Sequence, residues 1–181
     1  MNSSFDFQPT NPFSTSCIAP SQVVYRFGEG AGGAKSQTVD AHLEALLAQL
    51  KSARRSVIVG PHGTGKSTLL HTFLPKLQAS FPKVSFHQLN NDPSLGVTKR
   101  MSERLRNGKR IRDELLELPK GGLLVVDGWE QMLRSSRWRI TKSAVARRVI
   151  LLSTCHHRLP GWTLLYETKT TPKLIRSLAG D

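Results

Sequence analysis

A glycine-rich segment that ends in a lysine and a serine is the strongest chemical signal in this sequence. Residues 60–67 read GPHGTGKS and fit the pattern G-x-x-x-x-G-K-[ST]. Glycines at positions 60, 63 and 65 let the backbone wrap closely around a phosphate. Successive N–H groups and the start of the following helix then face the anion. The segment therefore predicts a binding site for the phosphates of a nucleotide.

Side chains in and just after this segment have distinct predicted roles. Lys66 is expected to reach the β- and γ-phosphates, and Ser67 offers a hydroxyl to Mg²⁺, which prefers oxygen ligands. Thr68 could add a contact to the α-phosphate. A glycine-rich turn that binds nothing is the alternative, but the complete motif between an apolar run and a helical pattern favours nucleotide binding. The predicted nucleotide-contacting residues are Gly60, Pro61, His62, Gly63, Thr64, Gly65, Lys66, Ser67 and Thr68.

A carboxylate near the Mg²⁺ is the second requirement of such a site, and the apolar run at residues 123–127 (LLVVD) ends in one. Asp127 is the predicted magnesium ligand beside Ser67; alternatively it caps a helix or forms a turn with Gly128. Glu130 is the nearest group that could orient or deprotonate an attacking water. A glutamate in a first helical turn also complements the helix dipole, so both interpretations stay open. The predicted catalytic residues are Lys66, Asp127 and Glu130.

Polar residues follow another apolar run, at residues 149–153 (VILLS). Ser153 or Thr154 could sense the γ-phosphate, and His156 or His157 could donate a hydrogen bond to it. Solvation of a loop is the alternative explanation for this polarity. Metal binding by the two histidines is disfavoured, because adjacent residues project in different directions and no third ligand is identifiable. The sensor candidates are Ser153, Thr154 and His156.

The elements that must position these residues follow from hydrophobic periodicity. Short apolar runs alternate with helical patterns, which predicts an α/β fold with a parallel sheet covered on both faces. Pro75 conflicts with a continuous second helix, since proline inside a helix costs about 3 kcal/mol unless it lies at a kink or restart. Tyr25 and Phe27 could cover an adenine ring, but two aromatics in a strand are more often core. The predicted strands are 23–27, 56–60, 84–89, 123–127, 149–153 and 162–167. Four helices are predicted: one begins near residue 40, one begins near residue 66, and two cover residues 99–118 and 130–148.

Length and composition indicate the number of domains and exclude some classes of protein. The 181 residues suit one folded domain, which we expect at 23–181, preceded by a flexible arm at 1–22 that is rich in Ser, Thr, Asn and Pro. No stretch approaches the roughly 20 apolar residues of a membrane span. The two cysteines, Cys17 and Cys155, exclude a disulfide scaffold. The first residues do not follow the pattern of a secretory signal, so a cytoplasmic location is expected.

An excess of basic residues points to a polyanion as partner. Lys and Arg number 26 against 13 Asp and Glu, which gives a formal net charge of +13. Arg134–Arg148 contains no acid, and Trp138 between Arg137 and Arg139 could stack on an exposed base. A solvated helix face, or an arginine finger toward a neighbouring subunit, would explain the same charges. The candidate nucleic-acid contacts in the first basic segment are Lys99, Arg100, Arg104, Arg106, Lys109, Arg110 and Arg112.

With GPHGTGKS, LLVVD and one strand between them, the chain resembles the P-loop NTPase superfamily. More narrowly, it looks like the division in which an additional strand separates the two Walker motifs, that of AAA-, RecA- and ABC-type ATPases. The resemblance covers residues 56–167 and implies a small AAA-type ATPase core. It implies a three-layer sandwich with a central parallel sheet of about five strands in the order 5-1-4-3-2.

The resemblance also implies roles for individual residues. Residues 60–67 would be the Walker A loop, Asp127 the Walker B aspartate, and Ser153 or Thr154 the sensor, with ATP and Mg²⁺ bound. The family usually places its catalytic glutamate directly after the Walker B aspartate, where this chain has Gly128. The sequence contains neither an N-K-x-D tetrapeptide nor an L-S-G-G-Q signature, which favours adenine over guanine and disfavours an ABC cassette.

Three functions fit these observations. The first is a slow Mg²⁺-dependent ATPase that acts as a nucleotide-controlled switch or motor core, with homo-oligomerisation as an option. The second is a P-loop kinase that phosphorylates a small molecule, with residues 99–112 as an arginine-rich lid. The third is a nucleic-acid binding module regulated by ATP.

Overall fold

Short strands and helices alternate along the chain, as the sequence predicts. The computed structural model describes residues 24, 25, 27, 38–89 and 94–169; the predicted arm at 1–22 lies outside them. None of the helices in these ranges is both long and apolar enough to cross a membrane. The helices are α1 (Val39–Ser52), α2 (Lys66–Ser80), α3 (Val97–Glu117) and α4 (Arg134–Arg147), and the strands are β1 (Arg55–Val59), β2 (Val84–Gln88), β3 (Leu123–Asp127), β4 (Ile150–Cys155) and β5 (Thr163–Glu167).

The five strands form one parallel sheet in the order β2-β3-β4-β1-β5. Counted from the other edge, this is the order 5-1-4-3-2, so the predicted fold class, an α/β fold with a central parallel sheet in this order, is confirmed. β4 lies between β1 and β3, with Ser153 opposite Val57 on one side and Val126 on the other. The carboxyl ends of these three strands therefore lie side by side at one edge of the sheet.

Helices cover both faces of the sheet and enclose two main cores. On one face α1 and α2 bury Leu50 and Phe73 against Ile58 of β1. On the other face α3 and α4 bury Ile111 and Ile140 against β3 and β4. Strand residues alternate between the two cores, as expected for a pleated sheet buried on both sides. The result is the three-layer sandwich that the sequence predicts.

The connection from β4 to β5 contains no helix. Seven residues, 156–162, carry the chain from the end of β4 across β1 to the start of β5. Parallel strands are usually joined by a dozen or more residues that include a helix. Here Leu159 and Trp162 of the connecting segment pack over Val57 and Val59 instead. The helical layer on the α3/α4 face therefore ends at β4, and this segment of bends and one turn covers β1.

The predicted strand at residues 23–27 is wrong, because Val24, Tyr25 and Phe27 lie outside any strand. The backbone N–H of Tyr25 donates to the Thr72 hydroxyl of α2 at 2.8 Å, not to a sheet neighbour. The rings of Tyr25 and Phe27 pack edge-to-face with Tyr166 of β5. Aromatic packing onto the α1/α2 core, which also produces strand-like composition, is the reason for the error.

The predicted helix at 130–148 is divided in two. A single 3-10 turn (Trp129–Gln131) follows Gly128, whose φ is 89°, and α4 begins only at Arg134. Met132 between them is extended and buried. Burial of its side chain in the α3/α4 core favours this break over a continuous helix. Pro75, in contrast, lies inside an uninterrupted α2, where four buried apolar residues offset its cost.

Gly108 allows α3 and α4 to pack closely against each other. A Cβ at this position would lie 2.4 Å from Oγ and 2.7 Å from Cβ of Ser136. We expect Gly108→Ala to lower the free energy of unfolding by about 1–3 kcal/mol, because overpacking outweighs the gain in helix propensity. Ser136→Gly removes the obstacle, so Gly108→Ala in that background should be neutral or stabilising. Urea denaturation of the four proteins of this cycle measures the coupling, and additive effects would contradict the prediction.

Candidate nucleotide site at the carboxyl edge of the sheet

The glycine-rich segment forms a tight loop between β1 and α2. Gly63 and Gly65 have φ values of 73° and 83°, in the left-handed region that glycine adopts without strain. Gly65 is the N-terminal cap residue of α2 and offers no side-chain hydrogen bond to the helix. The first N–H groups of α2 are therefore free of a side-chain cap at the end of the loop. Such a helix start favours an anion.

Gly60 is held against the end of β5. A Cβ on Gly60 would lie 2.0 Å from the hydroxyl oxygen of Thr168 and 2.7 Å from its carbonyl oxygen. The Thr168 hydroxyl is also 2.6 Å from the Thr64 hydroxyl, which donates to the Pro61 carbonyl at 2.8 Å. The sequence analysis missed Thr168; its only signal was a polar residue directly after the predicted strand 162–167. Thr168 therefore packs against Gly60 at the start of the loop and contacts Thr64 in its middle.

Lys66 folds back over the loop. Its ammonium donates to the carbonyl oxygens of Gly60 and Pro61, at 2.7 and 2.6 Å. Partial burial lowers the pKa of Lys66, while the charges of Glu130 and Asp127 act in the opposite direction. Two predicted catalytic carboxylates therefore lie within electrostatic reach of the loop lysine.

Asp127 is buried and fixed by Thr154. The Thr154 hydroxyl donates to Oδ1 of Asp127 at 2.5 Å and accepts from the N–H of Gly128 at 2.8 Å. The neighbouring Ser153 hydroxyl instead donates to the Val126 carbonyl at 2.5 Å, inside the sheet. Successive strand residues point to opposite faces, so only one of the two candidates can meet Asp127. Of the two sensor candidates in β4, the structure brings Thr154 to the carboxylate.

Glu130 reaches the site from the 3-10 turn after Gly128. Its Oε1 lies 3.0 Å from Nε2 of His156, and its Oε2 is buried without a hydrogen-bond partner. Nδ1 of His156 lies 3.3 Å from the Gly60 carbonyl, and the His62 ring is 3.8 Å away between centroids. His156 thus connects Glu130 to the glycine-rich loop. Burial raises the pKa of the adjacent Cys155 thiol, which keeps that side chain uncharged.

The oxygen donors at this edge fit Mg²⁺. Within the described residues, no group of three or more His, Cys, Asp and Glu side chains could hold a metal ion alone. Mg²⁺ is usually held by one or two protein oxygens, with water and substrate phosphates completing the octahedron. The Ser67 hydroxyl at the start of α2 and the Asp127 carboxylate are such hard donors. These two residues suit an ion that is shared with a bound nucleotide.

Two aromatic side chains flank the loop on the side of α1. Tyr25 lies against Gly65, with a ring carbon 3.1 Å from the position of a Cβ on that glycine. Phe27 stacks on His42 of α1 at 4.6 Å between centroids. Both rings are half-buried and pack against the α1/α2 core, which matches the core interpretation of this pair.

The seven basic candidates of the first segment all lie on α3. Arg100 and Arg104 are half-buried, and Nε of Arg100 is buried without a hydrogen-bond partner. The exposed members are Lys99, Arg106, Lys109, Arg110 and Arg112.

Comparisons with known proteins were made at the levels of sequence and structure. No protein-family model matches the sequence, and no curated protein matches it. Among solved structures, the chain is similar to C. elegans PCH-2, at 15% sequence identity and a TM-score of 0.44. The similarity covers 72% of this chain and 42% of the PCH-2 chain, so this chain spans less than half the length of that one. A similarity at this level assigns no family and no function, and the fold stated above follows from the strand pairings themselves.

Thr154 is predicted to stabilise the site through its hydroxyl. Thr154→Val keeps the shape but leaves the buried Asp127 carboxylate and the Gly128 N–H each without this partner. We expect the free energy of unfolding to fall by about 1–3 kcal/mol. Thr154→Ser, which keeps the hydroxyl, should lose less than half as much. Urea denaturation measures both variants, and equal losses would show that packing of the methyl group, not the hydrogen bonds, is responsible.

Proposed function

We propose that this chain binds ATP together with Mg²⁺ and hydrolyses it slowly, and that its nucleotide state controls contact with a partner. The observation that carries the proposal is the convergence of three side chains at one sheet edge. The three side chains come from different elements: Lys66 from the end of the loop, Asp127 from the end of β3 and Glu130 from the 3-10 turn. The charges of both carboxylates nevertheless raise the pKa of Lys66, against the effect of burial. Phosphate chemistry requires such a cation beside metal-binding and base groups.

Phosphate binding would replace contacts that the loop now makes with itself. The Lys66 ammonium is held by two neutral carbonyl oxygens, and a phosphate oxygen would offer it a charged acceptor. The loop N–H groups and the start of α2 add further donors. Ser67 and Asp127 would hold the Mg²⁺, which supplies neutralisation of developing phosphate charge when it is bound. Adenine is favoured because the sequence contains no N-K-x-D tetrapeptide.

Glu130 is the proposed general base. Its Oε2 atom is buried without a geometric hydrogen bond, and the thiol beside the carboxylate, that of Cys155, is uncharged, so Oε2 can accept a proton from a water that enters with the nucleotide. His156 holds the other oxygen and restricts the orientation of the carboxylate. Slow turnover is expected because Glu130 is separated from Asp127 by a turn through Gly128 and because His156 contacts one of its two carboxylate oxygens. His156 contacts both the Gly60 carbonyl of the loop and the Glu130 carboxylate. A nucleotide that displaces the Gly60–His156 contact would therefore change the position of Glu130, and this change is the proposed switch.

The kinase alternative lacks support from the position of α3. A lid must move, but α3 buries Ile111 and Leu115 in the core and packs closely on α4 through Gly108. Residues 99–112 therefore belong to a core helix. The nucleic-acid alternative has a specific surface in its favour, described in the next subsection.

Lys66→Ala is the direct test of nucleotide binding. We expect this variant to lose most of the Mg²⁺-dependent affinity for a fluorescent ATP analogue, because the loop loses its only lysine. Lys120→Ala is the matched control, since Lys120 is exposed and lies between α3 and β3, at the opposite edge of the sheet. Titration by fluorescence anisotropy measures both. Equal affinity in wild type and Lys66→Ala, or no binding to wild type, would refute the proposed site.

Glu130→Gln separates hydrolysis from binding. Loss of a general base typically lowers turnover by about 100-fold or more, while the neutral amide leaves room for the nucleotide. We therefore expect unchanged ATP affinity and at least this loss of phosphate release in single-turnover assays. Glu117→Gln, at the exposed end of α3, controls for the change in net charge. Unchanged turnover in Glu130→Gln would assign Glu130 a structural role and leave ATP binding as the function.

A further inference from the structure

The outer face of α4 carries an unusual line of side chains. The helix sequence, RSSRWRITKSAVAR, contains no acid, and its inner side buries Ile140 and Ala144 in the α3/α4 core. On the outer side, exposed residues follow one another at intervals of four, four and three positions, which places them on one face. We call this face the α4 stripe; it consists of Arg134, Trp138, Lys142 and Val145.

Trp138 is the centre of the α4 stripe. Its side chain is 63% exposed, although tryptophan is highly buried on average. The ammonium of Lys142 lies 5.0 Å from the centre of the indole ring. Arg134 and Lys142 are one helical turn away on either side, about 6 Å along the axis. The residues next to Trp138 in sequence point elsewhere, and Arg137 is half-buried. The sequence suggests that Arg137 and Arg139 flank Trp138. In the structure, the cations on either side of Trp138 along the α4 stripe are Arg134 and Lys142.

A basic groove lies between α3 and α4, next to the α4 stripe. None of the residues that line it in the described part of the chain is acidic. Ser135, which follows Arg134, contributes a hydroxyl to the groove, so the two surfaces adjoin at the start of α4. The cations and hydroxyls of the groove are Arg106, Lys109, Arg112, Arg139, Ser135 and Ser136.

We propose that the α4 stripe and this groove bind single-stranded nucleic acid. A base stacks on the exposed Trp138 ring, and Arg134, Lys142 and the groove cations contact the phosphates on either side. Stacking on an aromatic ring combined with a positively charged track is the usual way in which proteins hold single strands without reading sequence. A duplex cannot offer an unpaired base to the ring, so single strands are preferred. The proposal is independent of ATP binding.

Other anionic partners fit this surface less well. Insertion into a lipid surface requires a broad apolar face, whereas the α4 stripe holds only two apolar residues, Trp138 and Val145, and Lys142 separates them. The carboxylates of an acidic peptide would satisfy the charges, but they would not stack on the indole ring. Charge and an open aromatic face together single out the nucleic acid.

The test is fluorescence anisotropy with labelled single strands of DNA and RNA, each 20 nucleotides long, and with a duplex of equal length. No ATP is added. Trp138→Ala should weaken single-strand binding roughly 5- to 100-fold, given the cost of losing one base–aromatic stack. Trp138→Phe should retain most of the affinity. Arg134→Gln with Lys142→Gln should lower the slope of log affinity against log salt by about 1.4, the value for two phosphates of a single strand.

Controls separate this site from charge alone. Lys51→Gln changes an exposed lysine of α1, on the opposite face of the sheet, and should leave affinity nearly unchanged. Thermal unfolding checks that each variant folds. Equal affinity of wild type and Trp138→Ala, tighter binding to the duplex, or equal competition by polyglutamate or phosphatidylserine vesicles would overturn the proposal. A difference between the DNA and RNA strands would identify the source of the ligand.

Discussion

Parallel pairing of β4 with β1 on one side and β3 on the other is the constraint on which the candidate site depends. The register places Val59, the last residue before the glycine-rich loop, beside Cys155, and places Val126 beside Ser153. Loop and Asp127 are therefore separated by the width of one strand. Any slip of one residue would turn Thr154 away from Asp127, because strand side chains alternate between faces.

The sheet edge is polar but tightly connected. Thr154 joins β4 to Asp127 and Gly128, Thr168 joins β5 to the loop, and Lys66 satisfies carbonyls of the loop itself. Buried polar groups are costly unless they are paired, so such a network holds its members in one arrangement. The unpaired Oε2 of Glu130 is an exception within this network.

The same sheet separates two surfaces with different chemistry. The loop and its carboxylates lie at the carboxyl edge, whereas the α4 stripe lies on the outer side of a helix layer. Gly108 holds α3 against α4 and so brings cations of both helices to one groove. The short segment 156–162 leaves β1 without a helix on that face, which ends the helical layer at α4.

The sequence alone was sufficient for features that depend on neighbouring residues. The glycine-rich loop, the apolar strands and the carboxylate at the end of LLVVD follow from local spacing, and resemblance to a family supplied the correct strand order. The strand at 23–27 and the unbroken helix at 130–148 were wrong, because aromatic packing and burial of Met132 overrode local pattern. Contacts such as Thr64 with Thr168, 104 residues apart, arise only when distant strands meet in the sheet. The choice of Thr154 over Ser153, the pairing of Glu130 with His156, and the partners of Trp138 were likewise decided by tertiary structure, since each depends on which way a side chain faces.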